Sequence, residues 1–114
     1  MENEIKRTID SLTKEYCLEE KENQKTNLLN IILIKIKNDN SIFADLIKNI
    51  REYVSSSKDL IRQSAFTLIL RILERVANLK MEFSFYKNLI DLGFNKMKDV
   101  VLSGYALKII YSKN

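Results

Sequence analysis

A chain of 114 residues is long enough for one buried core and too short for two. Its 46% hydrophobic and 30% charged residues argue against disorder, and zero Pro with only two Gly argues against the turn-rich sandwich and barrel classes. The net charge of +4 is uneven: −2 over residues 1–25 and +6 over 26–114. That balance admits an acidic or nucleic-acid partner, but the clustered Lys/Arg runs of a dedicated nucleic-acid binder do not occur.

Six helical segments are predicted in chain order. The first covers 2–22, with Ile5, Ile9, Leu12, Tyr16 and Leu18 as a stripe at helical spacing. It is the most polar of the six and is expected to cover the fold on one face only. Residues 19–25 read as a charged, solvated connector. The second helix, 26–37, carries Leu28, Leu29, Ile31, Ile32, Leu33, Ile34 and Ile36, apolar on nearly all sides, which predicts burial between neighbours. Asn38-Asp39-Asn40-Ser41 then reads as a turn.

The third helix, 42–54, offers Ile42, Phe43, Leu46, Ile47, Ile50 and Val54 to the core. Ser55-Ser56-Ser57 ends it, and Ser56 or Ser57 is expected to cap the fourth, 58–79, with Asp59 in its first turn. This fourth segment is the longest and most apolar, and is expected at the centre. A fifth, 81–92, stops at Gly93, and a sixth, 99–111, contains Gly104, read as a point of close helix packing.

The last two thirds repeat weakly at an offset of 39. Leu46-Ile47-Lys48-Asn49-Ile50 aligns with Phe85-Tyr86-Lys87-Asn88-Leu89, and Ile61, Ala65, Leu68 and Ile72 fall on Val100, Gly104, Leu107 and Tyr111. Such a period without strand signals is what stacked helix pairs leave in a sequence. Asp59, Ile61-Arg62, the small Ala65, and the leucines and isoleucines that follow resemble the second helix of a HEAT/armadillo-like repeat. The best match is 46–73 and a weaker second copy is 85–111, where Val101 stands in place of the Arg. The resemblance implies a structural pairing of Asp59 with Arg62.

The expected fold is therefore all-α: one domain over 1–114, a short right-handed stack of three antiparallel helix pairs. An atypical N-terminal cap pair spans 1–38 and HEAT-like pairs span 41–79 and 81–112. The alternative is a compact six-helix bundle.

Reactive chemistry is sparse. With no His and one Cys the chain lacks the usual bases and metal ligands, and two Gly cannot build a phosphate loop. Glu19, Glu20 and Glu22 read as solvated carboxylates, and Cys17 as a semi-buried helix residue in a reducing compartment. No enzyme activity, cofactor or metal is expected. The acidic start is unlike a secretory signal, and the apolar run from Leu28 to Ile36 is too short to span a membrane, so an intracellular location, cytoplasmic or nuclear, is expected.

Two surfaces are candidates for binding. The final helix is apolar on several sides, with Val101, Leu102, Tyr105 and Ile109 as a protein or self-association interface; six of the ten aromatics fall in 81–114. Arg71 and Arg75, four apart, share a helix face and form a charged contact. These features predict a non-enzymatic protein-interaction module or small subunit of a larger assembly. A small RNA- or ribonucleoprotein-associated protein and a small Bcl-2-like bundle holding a partner helix are the alternatives.

Overall fold

A computed structural model describes residues 8–76, with Leu79 and Lys87. The described residues form four helices and no strand: α1 (Ile9–Leu18), α2 (Glu22–Asn38), α3 (Ile42–Val54) and α4 (Asp59–Arg75). The chain is all-α in this part. Four helices are neither three pairs nor a six-helix bundle; the expected sixth segment, and the fifth apart from the helical Lys87, lie outside the described residues.

α1 starts behind Thr8, whose hydroxyl accepts the Ser11 amide at 3.1 Å and satisfies one of the unpaired first-turn donors. It ends sooner than the sequence suggests. Glu19 is extended, at φ −76° and ψ 135°, and donates its amide to the Glu15 carbonyl. Consequently the stretch expected as connector is split: 19–21 is the link, and Glu22 opens α2 four residues earlier than Thr26. Glu, Gln and Lys are good helix formers, and Glu22 favours the positive end of the helix dipole.

The turn at 38–41 is present, its geometry fixed by the Asp39 carboxylate, which accepts from the Ser41 amide at 3.1 Å and hydroxyl at 2.7 Å. These two bonds hold the Asp39 carboxyl below its ordinary pKa. α3 has the predicted bounds. The expected serine cap of α4 is corrected: the cap position is Lys58, without a side-chain bond. Ser56 instead braces the turn, its hydroxyl accepting the Lys58 amide at 3.1 Å and its carbonyl accepting from Arg62 at 2.8 Å. α4 also stops short of Leu79, because the β-branched Val76 is extended at φ −120° and ψ 115°.

One core joins all four helices. α4 contributes most to it, with Ala65, Phe66, Leu68, Ile69 and Ile72 fully buried. Each large aliphatic side chain so placed contributes roughly 1.5–3 kcal/mol. α1, expected as a cover on one face, packs instead against all three other helices, and as extensively against α4 as against α3. It can do so while polar because its inner stripe is complete: Leu12, Tyr16 and Cys17 are buried, and the buried Thr13 returns its hydroxyl to the Ile9 carbonyl at 2.7 Å.

α2 is less enclosed than expected. Leu28, Leu29, Ile32, Leu33 and Ile36 are buried, but Ile34 is 60% exposed, since α2 rests mainly on α1 and touches α3 and α4 only lightly. Leu18, expected in the α1 stripe, is 51% exposed; it is the last helical residue, where the stripe has already turned past the core.

Two side-chain bonds bridge the helix pairs. Asn49 on α3 donates to Asp10 on α1, and Lys25 on α2 donates to Ser64 on α4. Both span 39 positions, the same offset as the sequence repeat.

Candidate functional site: a mixed-charge groove

A groove of about 900 Å³ lies where the end of α1, the 19–21 link, the first turn of α2 and the first four turns of α4 converge. Its apolar part comes from Leu18, Leu60 and Ile61, its charged part from Glu19, Glu20, Glu22, Asp59, Lys25, Lys58 and Arg71. Ser64, Thr67 and Gln63 line it from α4. Leu18 and Leu60, 51% and 67% exposed, are two of the three large apolar side chains standing out to solvent among the described residues.

Lys25 organises the floor. Its ammonium bonds the hydroxyl of the buried Ser64 and stands 5.1 Å from the centroid of the Tyr16 ring, so α2, α4 and α1 meet on one cation. Beneath it Cys17 is 2% exposed, and burial pushes its thiol up to about 12, an effect the Lys25 charge partly offsets. A thiol so protonated is a packing group and a poor nucleophile at neutral pH. The sequence placed Cys17 as semi-buried; it is fully enclosed.

Arg62 pairs with Asp59, as the repeat resemblance implies, and also reaches the Ser56 carbonyl. The cluster ties the 55–58 link to the first turn of α4 and so fixes the wall that carries Leu60. Arg71 faces both carboxylate oxygens of Glu74 at 3.4 Å, an exposed and loose pair. Arg75 is exposed at the last turn of α4, so the two arginines named from the sequence differ: Arg71 lines the groove and Arg75 does not. Val101, Leu102, Tyr105 and Ile109 lie outside the described residues.

Among the described residues no group of His, Cys, Asp and Glu is gathered as a metal site requires, and no helix is long and apolar enough to cross a membrane. The groove itself was missed from sequence. By periodicity Leu18 reads as core and the glutamates as a connector, and the available signal is an aliphatic residue set directly beside an acidic one twice, at Leu18-Glu19 and Asp59-Leu60. Compared with family models, curated proteins and solved structures, the chain matches none of them.

Proposed function

We propose that this chain is a non-enzymatic protein-interaction module, a small helical scaffold or subunit of a larger intracellular assembly. The observation that carries the reading is the groove, in which two exposed leucines flank polar and charged groups on walls held by a continuous core. Exposed apolar side chains set among polar and charged ones are groups that a protein partner can desolvate and pair. The final helix, with Val101, Leu102, Tyr105 and Ile109, is a second contact surface in this proposal, resting on its sequence alone.

The proposed architecture is the HEAT-like stack. Its support is the shared 39-residue span of the Asp10–Asn49 and Lys25–Ser64 bridges, because stacking of successive pairs sets each residue beside its counterpart one period on. The extensive α1–α4 contact favours a more compact, bundle-like arrangement of these two pairs. Association with RNA draws on the exposed Arg75 and the +6 charge of residues 26–114, whereas the partner of Arg71, Glu74, weakens that face as a phosphate site.

Purification of the tagged protein at moderate salt, with and without nuclease, tests the reading. A stoichiometric protein partner that survives nuclease and is lost on joint Leu18→Ser and Leu60→Ser substitution is the expected result. Partners that vanish on nuclease treatment, and are reduced by Arg71→Glu with Arg75→Glu, would transfer the function to RNA.

A further inference from the structure

Charges of both signs line the groove, but they are not equally available to a ligand. Lys25 is engaged with Ser64 and the Tyr16 ring, and Arg71 with Glu74. Asp59 is held by Arg62, and Glu19 accepts the Lys21 amide at 3.1 Å. The carboxylates of Glu20 and Glu22 stand exposed beside Leu18, with neither in a bond or ion pair among the described residues; the exposed Lys21 between them and Lys58 ahead of α4 are the counterweights, which leaves Glu19, Glu20 and Glu22 in excess over Lys21 in this stretch. On a chain of net charge +4, it is a locally negative edge next to two exposed leucines.

We propose that the groove takes a basic segment of another protein, one in which cations alternate with aliphatic side chains. The aliphatic groups settle on Leu18 and Leu60, and the cations meet Glu20 and Glu22. This rests on the interaction-module reading and adds the chemistry of the partner. Desolvated aliphatic contacts supply most of the affinity, while exposed charge pairs set specificity and association rate and weaken with salt. An acidic segment or a nucleic acid would bring its charge against the same two carboxylates.

Two fluorescent peptides of roughly four helical turns, about 14 residues, with identical leucine positions test this, one bearing Lys and the other Glu between the leucines. Anisotropy is read with the full chain. The Lys peptide is expected to bind saturably, more weakly as salt is raised. Glu20→Lys with Glu22→Lys should weaken it roughly tenfold, and Leu18→Ser with Leu60→Ser by a similar factor. All four positions are exposed, and an unchanged far-UV spectrum checks that the fold is kept.

Equal or tighter binding of the Glu peptide, or indifference of the Lys peptide to the charge reversal, would overturn the basic-partner assignment. If the leucine pair still mattered in that case, the interaction reading would stand without it. Binding of neither peptide, or binding that ignores Leu18 and Leu60, would overturn both. Self-association of the chain abolished by the leucine substitutions would give the groove to a second copy and overturn the basic-partner proposal.

Discussion

Lys25 joins three helices through one ammonium group, so its removal is felt beyond its own turn. Lys25→Ala should cost about 1–2 kcal/mol by leaving the buried Ser64 hydroxyl without its donor and the Tyr16 ring without its cation. Ser64→Ala in that background should add little, so a double-mutant cycle in urea should show less than additive loss. At Cys17 the sign of the pH effect follows from its raised pKa. In the unfolded chain the thiol ionises near pH 9 and in the folded protein near 12, so the folded state binds more protons between these values. Stability should therefore fall as pH rises above about 9, and Cys17→Ala should flatten the first part of that decline in denaturation series. Tyr53, pushed up to about 12 first by burial and then by Glu52, acts in the same sense above about pH 10, so some slope should remain in the variant.

At the scale of the helix, α4 shows how one element can be both core and site wall. Its first turn is exposed at Leu60, most of its residues from Ser64 to Leu73 are buried, and its last turn is exposed again at Glu74 and Arg75. Two substitutions on this one helix should behave differently. Ala65→Leu inserts volume where nothing is exposed and should destabilise by about 1–3 kcal/mol, whereas Leu60→Ser should stay within roughly 0.5 kcal/mol. Thermal or urea melts separate them. If Ala65→Leu melted like the parent, that position would not face a tight contact. The boundaries of α1 and α2 show the complementary lesson: a run of Glu, Lys, Asn and Gln is compatible with loop or helix, and the extended Glu19 decides which residues fall on each side.

For the whole molecule, the central question is what covers its apolar surfaces. Monomeric proteins rarely leave contiguous apolar patches beyond a few hundred Å² uncovered. On the proposed role of the final helix, the free chain should self-associate, and charged substitutions at Val101 and Leu102 should yield a monomer with an unchanged far-UV spectrum. Sedimentation and circular dichroism together check this. A parent chain that already sediments as a monomer, with those side chains protected, would place them in the core.

Helical class, the bounds of α3, the turns at 38–41 and 55–58, and the central place of α4 were legible because they depend on local periodicity and on turn residues. The Asp59–Arg62 pair was legible as well, being a contact between residues three apart on one helix. Packing alone decided the rest. Periodicity tells which side of a helix is apolar, but not how many neighbours that side will meet. Hence the polar α1 became the element packed most extensively against the others, while the more apolar α2 kept Ile34 in solvent. The groove arose for the same reason: Leu18, Glu20, Glu22 and Lys25 come from one stretch and Leu60 and Ser64 from another about 40 residues on, and only the arrangement of α1, α2 and α4 brings the two stretches to one surface.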